Sequence, residues 1–404
     1  MNIRWLKFAW LNTLRNRRRS AVTVAIAALG TAAILLAGGF ALFTYQGLAQ
    51  ISARTTGHLI VATPAQFARD EDMPLQNGLD GVAALRQQLL ADPAVRQVLP
   101  RVEFTGLISN GDKSTVMMVA GIDPDAEFAV KGPFLTVKAG AVLASGERNQ
   151  VMLGADLARS LKAEPGAGLT LLTSTTEGAL NALDVTVKGV FATGIPDVDK
   201  RLVYTDLETA QKLLVTQRVT SLGVFLNRME NTDAARARIA AALPSLAVQT
   251  WVEQAFFYKS VKQLYNRIFG ALGLIIGVIV IFVVANAMAM AIVERTREIG
   301  TLRALGTLPS QLTSTFALEG LLLGGVGAVL GSLIALGVSV ALLIFPVEMP
   351  PPPGRSTGYP LQIAIDPSLY GGTLLAMLLL ALIASALVAR RSVARPIVDA
   401  LAHT

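Results

Sequence analysis

The chain has no cysteine among its 404 residues. That excludes disulfide staples, thiolate nucleophiles and cysteine metal sites. Histidine is nearly absent too: His58 and His403 stand at opposite ends, so no histidine cluster is spaced to hold a metal. Charged residues make up 16%, against about 25% in ordinary soluble domains. Aromatics are 6% and no low-complexity tract occurs, while 52% of residues are hydrophobic; such a composition is not that of a disordered chain. What is abundant is apolar sequence in long unbroken runs, with a mean hydropathy of +0.53.

A helix needs about 20 mostly apolar residues to cross the hydrocarbon core. Four stretches qualify. Residues 21–43, 268–293 and 367–389 carry no charge, and 320–347 is uncharged and extended backwards by 313–318, with Glu319 as the sole interruption. The first run follows a basic segment, Arg15 to Arg19, but is far longer than the roughly 7–15-residue core of a signal peptide. It reads as a retained span.

Lysine and arginine in short flanks set orientation. Twelve lie in 1–20, 294–312 and 390–404, whereas 346–366 holds only Arg355. Both termini and the 294–312 loop therefore read as cytoplasmic, and the large segment between the first two spans as external. That segment, 46–267, has 22 basic and 22 acidic residues. The chain's net +7 marks the cytoplasmic face, and a neutral external domain is no nucleic-acid binder.

The external segment patterns as mixed α and β. Strands are expected at 57–63, 103–109, 114–122, 150–153, 168–173, 184–192, 221–226 and 247–251; helices at 79–91, 156–161, 206–214 (capped by Thr205) and 232–243. Asn110-Gly111 marks a hairpin. Two subdomains are expected, one from both ends of the segment and one from a β-rich insertion near 105–200. A helix over 251–267 leads into the second span, and its Phe256, Phe257, Val261, Leu264 and Tyr265 suggest an amphipathic stalk with possible substrate contacts.

Candidate chemistry is sparse. Asp123, Asp125 and Glu127 lack the glycine and distal glutamate of a calcium loop and read as a solvated acidic turn. Asp197 and Asp199, beside Lys200 and Arg201, read as local ion pairing. No G-x-S-x-G elbow occurs. The approach to a phosphate loop, Gly106…Gly111-Asp112-Lys113, has one residue too many before lysine and lies in a hairpin. No metal site and no catalytic residue is expected; the chain does not read as an enzyme.

The stretch with most information is Glu294-Arg-Thr-Arg-Glu-Ile-Gly-Thr-Leu-Arg-Ala-Leu-Gly306, directly after the second span. Helical spacing sets Glu294 with Arg297 or Glu298, and Arg295 near Ile299 and Leu302. One side is charged and another apolar (Ile299, Leu302, Leu305), with Gly300 and Gly306 allowing bends. Either it offers a face to a soluble partner or it is an ordinary juxtamembrane loop.

This stretch, with Asn286 eight residues upstream, resembles the signature of FtsX/MacB-type permeases of type VII ABC transporters. Agreement continues in Asn12-Thr-Leu-Arg-Asn-Arg-Arg-Arg-Ser20, in Glu319-Gly-x3-Gly324-x2-Gly327-x3-Gly331, and in Ala394-Arg-Pro396-x3-Ala400-Leu401. The segment from Phe191 to Gln211 is similar to the lipoprotein-release permeases, LolC/LolE-like.

The resemblance implies a membrane α-helical fold of four transmembrane helices, plus a large α+β extracytoplasmic domain between helices 1 and 2. It divides the chain into a basic amphipathic segment 1–20, spans at 21–45, 266–293, 313–346 and 367–390, a MacB-like periplasmic domain 46–265, a cytoplasmic coupling helix 294–312, an outer loop 347–366 and a cytoplasmic tail 391–404. It implies ATPase coupling by Glu294, Arg295, Arg297, Glu298, Ile299, Gly300, Leu302, Arg303, Leu305 and Gly306. Packing or gating falls to Asn286, Glu319, Gly320, Gly324, Gly327 and Gly331. Asn286 is expected in an interhelical hydrogen bond, and Glu319 either in an interior polar contact or near enough to the surface to be hydrated. The polyproline run 350–353 is a strut at a dimer mouth or a passive linker.

The partners implied are a cytosolic ABC ATPase that binds ATP and Mg, a second permease copy or paralogue, membrane lipids and a periplasmic adaptor or lipoprotein, with no nucleic acid. Only 20 residues precede the first span, so the ATPase is expected on another polypeptide, with no cofactor in this chain. The expected place is the inner membrane. The expected work is mechanotransmission, in which ATP-driven motion reaches the external domain to extract or export a lipoprotein, lipid or other amphipathic substrate. An FtsX-like regulator of a periplasmic hydrolase, or a peptide sensor, is the alternative.

Overall fold

The structure is a computed structural model and describes residues 17–68, 73–131, 135–350 and 358–393. The amino-terminal motif before residue 17, the polyproline run beyond Pro350 and the tail motif from Ala394 lie outside the described residues.

Four helices are long and apolar enough to cross a membrane: α1 (Arg17–Thr56), α2 (Phe256–Glu294), α4 (Pro309–Ile344) and α5 (Pro367–Val393). A short helix, α3 (Thr296–Ala304), lies between α2 and α4. At 1.5 Å per residue, α1 and α2 are each about 60 Å long, twice the roughly 30 Å of hydrocarbon. Neither proline nor a cap interrupts the polar residues that follow or precede their apolar cores, so helix propagates past the stretch that lipid requires.

The chain forms two compact units. The described part of the helical unit comprises 17–46, 260–348 and 360–393. Its core joins Val280, Val284 and Met288 of α2, Leu312, Phe316 and Leu323 of α4, and Met377 and Ala381 of α5.

Glycine decides how closely these helices pack. A side chain added at Gly320 would overlap Ser385, and one at Gly324 would overlap Ala381, both on α5. One at Gly327 would meet Ala27 at 2.6 Å, and one at Gly331 would overlap the Ala28 carbonyl, both on α1. The two small-x3-small pairs thus face different neighbours, and hydrogen as side chain admits the close approach.

The described part of the α+β unit comprises 47–68, 73–131 and 135–259, with 349–350 and 358–359. Its strands are β1 (Leu59–Ala62), β2 (Val95–Ser109), β3 (Ser114–Ile122), β4 (Thr136–Gly140), β5 (Gln150–Gly154), β6 (Gly168–Ser174), β7 (Leu180–Ala192), β8 (Leu202–Asp206), β9 (Ser221–Leu226) and β10 (Ala247–Thr250). They join in the order β10-β1-β9-β2-β3-β8-β5-β7-β4, with β6 bridging β2 and β7. The sheet is mixed, with β3–β8 and β5–β7 parallel.

The long β2 carries the join. Its first half pairs with β9, ending at Arg101↔Ser221, and its second half pairs with β3 from Val102↔Gly121. The expected hairpin is present, with Gly111 at φ +92 and the Asn110 side chain accepting from the Lys113 amide at 2.7 Å. Alternating inward residues such as Val98, Val102, Ile108, Val151, Leu153, Leu171 and Val224 fill one core. Phe191 and Tyr204, 5.0 Å between centroids, anchor a second.

Four local readings are corrected here. The helix Leu207–Leu214 is capped by Asp206, whose carboxylate accepts from the Thr209 amide at 2.9 Å; Thr205 is a strand residue donating to the Gln150 carbonyl. The helix expected over 251–267 breaks at Ala255 (φ −84, ψ 67), after the short turn Trp251–Gln254. Glu127 is no solvated residue. It is fully buried and pairs with Arg101 at 2.6 Å, because the helix Pro124–Lys131 turns it inward. Asp197 does pair with Lys200, at 3.3 Å, but Asp199 is buried and accepts from the Thr193 amide and hydroxyl.

Candidate functional site

The helical unit concentrates its charge at the end of α1 that carries Arg19. Glu294 closes α2, and its carboxylate accepts from Arg19 at 2.9 Å. Helical phase breaks at the next residue, Arg295 (φ −113, ψ 14), before α3 begins. The break puts Glu294 and its expected neighbours Arg297 and Glu298 in different helices. It also turns Arg295 inward, where its guanidinium lies 3.5 Å from the Glu319 carboxylate. Both partners are nearly inaccessible, with side chains 9% and 5% exposed. At that distance the contact is an ion pair rather than an aligned hydrogen bond, and Glu319 Oε2 has no hydrogen-bond partner among the described residues. Of the two sequence readings of Glu319, the interior polar contact is the one observed.

Burial of an ion pair is costly unless geometry and hydrogen bonds are excellent. Here it joins the α2–α3 break to the third turn of α4. Arg19 and Glu319 also line one small pocket with Ser20, Thr23, Met288 and Leu323. Two acids and two arginines from α1, α2 and α4 thus hold the base of α3.

Within α3, Ile299 and Gly300 are buried, and Ile299 belongs to the core of the helical unit. Arg297, Glu298, Leu302 and Leu305 face outward, Leu305 being 79% exposed. Arg303 is half-buried. The helix ends in a left-handed turn at Gly306 (φ +96): the Gly306 amide donates to the Arg303 carbonyl at 3.1 Å and the Thr307 amide to the Leu302 carbonyl at 3.0 Å. This is the Schellman arrangement that glycine permits without strain. Gly300 makes no bend; it lies mid-helix, where lack of a side chain suits its burial. Pro309, at the first position of α4, sets a new helix direction. Of 294–312, then, only 296–304 is the separate helix. Its outer face, extended by the 58% exposed Leu308, is a small apolar surface rimmed by Arg297 and Glu298.

The remaining candidate residues lie elsewhere. Gly320, Gly324, Gly327 and Gly331 line the packing seams already described. Asn286 is exposed on α2 and has no hydrogen bond among the described residues. Tyr265 packs with Phe40, Tyr45 and Phe269 at the end of α1 opposite Arg19, where the Tyr45 hydroxyl donates to Asn266 at 2.7 Å. Phe256 and Phe257 are 80% and 59% exposed and join no such cluster. Sequence reasoning missed the roles of Arg19 and Arg101. Neither was given a partner, and their partners lie 275 and 26 residues away.

Residues 20–242 match the family model of the MacB-like periplasmic core domain, and residues 270–397 that of the FtsX-like permease C-terminal domain. The chain is 28% identical over 251 residues to the lipoprotein-releasing system transmembrane protein LolC of Xylella fastidiosa, covering 60% of each chain. It is 27% identical over 267 residues to LolE of the same-named system in Haemophilus influenzae, covering 64% of this chain and 63% of that one. It is 29% identical over 174 residues to the macrolide export ATP-binding/permease protein MacB of Bordetella avium, covering 40% of this chain and 26% of that one. The chain spans about three-fifths of the length of the LolC and LolE relatives it matches.

Proposed function

This chain belongs to the permease family that joins a MacB-like periplasmic core domain to an FtsX-like C-terminal domain, and from that premise we propose that it is the transmembrane subunit of a type VII ABC transporter. A cytosolic ATPase docks on α3, and a second permease, copy or paralogue, completes the membrane part. ATP and Mg bind the ATPase. The termini and α3 face the cytoplasm, and the α+β unit faces the periplasm.

The observation that carries the reading is the asymmetry of α3. Its inner side is fixed by Ile299 and by the Arg295–Glu319 pair, while Leu302, Leu305, Arg297 and Glu298 lie on the exposed side. A short helix tied through a buried ion pair to α4 moves with the bundle when its outer face is pushed. Burial leaves the paired charges little water to relax into, so the tie resists slipping.

The work is extraction or export of a lipidated or otherwise amphipathic substrate at the outer leaflet. The names of the LolC and LolE relatives, both transmembrane proteins of lipoprotein-releasing systems, support that class of substrate.

The test is to purify the full chain with its ATPase and compare it with a triple variant, R297E/E298R/L305E. An apolar anchor at the centre of an interface is worth about 2 kcal/mol or more, so ATPase binding should weaken at least about tenfold. Unchanged binding and ATP turnover would overturn the docking surface. In vesicles, a triacylated lipoprotein should raise ATP turnover; stimulation by a soluble periplasmic hydrolase alone would make the chain a regulator instead.

A further inference from the structure

Between Glu253 and Glu294 the sequence has no carboxylate, yet α2 carries Lys259, Lys262 and Arg267 before its uncharged run begins. The bias that orients spans does not demand basic residues at this end, because the flanks of long translocated segments largely escape it. Lys259 is engaged, its ammonium donating to the Glu253 carbonyl at 3.2 Å. Lys262 and Arg267, both in the helical unit, are exposed. Arg267 has no ion pair among the described residues.

Lys262 and Asn266 stand one turn apart, and both meet Tyr45 of α1. The Lys262 ammonium lies 6.0 Å from the centre of the Tyr45 ring, and the Tyr45 hydroxyl donates to Asn266 Oδ1 at 2.7 Å. With Oδ1 engaged, the amide keeps two N–H donors, and these have no hydrogen bond among the described residues. Toward Glu294 the same face of α2 continues, in steps of four and three, as Gly270 and Gly273. Nothing lies within 4 Å of a side chain added at either glycine. The polar group stands at the head of an open strip of bare helix.

Helix rise gives its depth. Tyr45 is 26 residues from Arg19, and Asn266 is 28 residues from Glu294, so about 39 and 42 Å along the axes. A bilayer with its headgroups is about 40–45 Å thick. With Arg19 and Glu294 at one surface, Tyr45 and Asn266 stand among the headgroups of the other, whichever way the chain faces. Tyr265, packed with Phe40, Tyr45 and Phe269, is the kind of aromatic belt found at that level.

We infer that Lys262 and Asn266, with Tyr45 behind them and Arg267 about 100° further round α2, bind the phosphodiester of an anionic phospholipid such as phosphatidylglycerol, whose acyl chain lies along Gly270 and Gly273. The ammonium and guanidinium supply charge, and the Asn266 N–H groups supply direction. The Tyr45 ring holds the ammonium in place. No carboxylate of this stretch competes for the cations, which suits an anionic head better than a zwitterionic one. A free phosphate would have no use for the open strip, and the acyl anchor of a lipoprotein carries no phosphate. The inference goes beyond the transport reading and needs no ATPase, so its failure leaves that reading standing.

The test uses the purified full chain in phosphatidylcholine vesicles doped with a photoactivatable phosphatidylglycerol, with crosslinks mapped by mass spectrometry. Labelling should fall on the peptide that holds 262–273. A basic residue near an anionic headgroup is worth about fivefold in affinity, so K262Q/R267Q should weaken labelling about ten- to thirtyfold. K262R/R267K, which keeps both charges, should stay within about threefold, and R390Q/R391Q, at the other end of the bundle, should leave this peptide's labelling unchanged. Unlabelled phosphatidylglycerol should compete at least about fivefold better than phosphatidylcholine, and inorganic phosphate should not compete. Equal labelling of K262Q/R267Q and the unchanged chain would overturn the site. Competition by inorganic phosphate would make it an ion site rather than a lipid site. Competition by a triacylated lipoprotein as strong as that by phosphatidylglycerol would overturn recognition of the phosphodiester.

Discussion

Arg101 and Glu127 are charged residues that behave as core. Their pair is 2.6 Å long, with side chains 5% and 0% exposed, and the Arg101 guanidinium also lies 6.0 Å from the Phe225 ring. An acidic turn with three carboxylates gives no sign of which one points inward, so the pairing was invisible in the sequence. His58 is a second residue whose role depends on burial. Its Nδ1 accepts from the Leu226 amide at 3.0 Å, and its ring meets Phe225 edge-on. Burial pushes its pKa below the ordinary 6.5, and the nearby charge of Glu230 only partly opposes this. The folded state therefore resists a proton that the unfolded chain accepts. Stability from this contact is whole above about pH 6.5 and declines as pH falls below it, because an imidazolium cannot accept from Leu226. Hydrogen exchange at the Leu226 amide should be slow at pH 7.5 and, after correction for intrinsic rates, lose about 1 kcal/mol of protection by pH 5. Protection that stays level across that range would remove the histidine from the account.

At the scale of elements, four apolar runs were readable because lipid demands about 20 apolar residues and little else supplies them. Their packing was readable only as a tendency. Gly320-x3-Gly324 and Gly327-x3-Gly331 repeat on one helix, yet the first pair meets α5 and the second α1, a division that spacing alone does not contain. It leads to a measurable contrast within α4. G331A pushes a methyl group into the Ala28 carbonyl and should cost about 1–3 kcal/mol. G337A, where nothing lies within 4 Å, should be neutral within about 0.5 kcal/mol. Thermal unfolding of the full chain in detergent reads both, and equal melting temperatures would show that the close approach carries no stability. The end of α3 was legible in part: Gly306 makes the turn the sequence suggested, whereas Gly300 does not. Helical spacing did not foresee that Glu294 meets Arg19, because it assumes a phase that the break at Arg295 resets.

For the whole molecule, the distribution of lysine and arginine is the basis of the proposed orientation, and the missing cysteines make it testable. In spheroplasts, a membrane-impermeant maleimide should label G178C, in the α+β unit, without lysis, and G306C only after it; the reverse pattern would invert the proposed topology. Composition and periodicity alone determined four spans, a neutral mixed α/β domain between the first two, and the charged segment after the second. Those features are local or additive: hydropathy, turn residues and charge bias each act over a few neighbouring positions. Only the tertiary structure decided that β2 joins two sets of strands, that Glu127 is core, that Glu319 meets Arg295 while Arg19 meets Glu294, and that Asn286 is left bare on an apolar face. Each of these depends on residues far apart in sequence arriving at one place, and on burial, which is a property of the packed chain and not of any window along it.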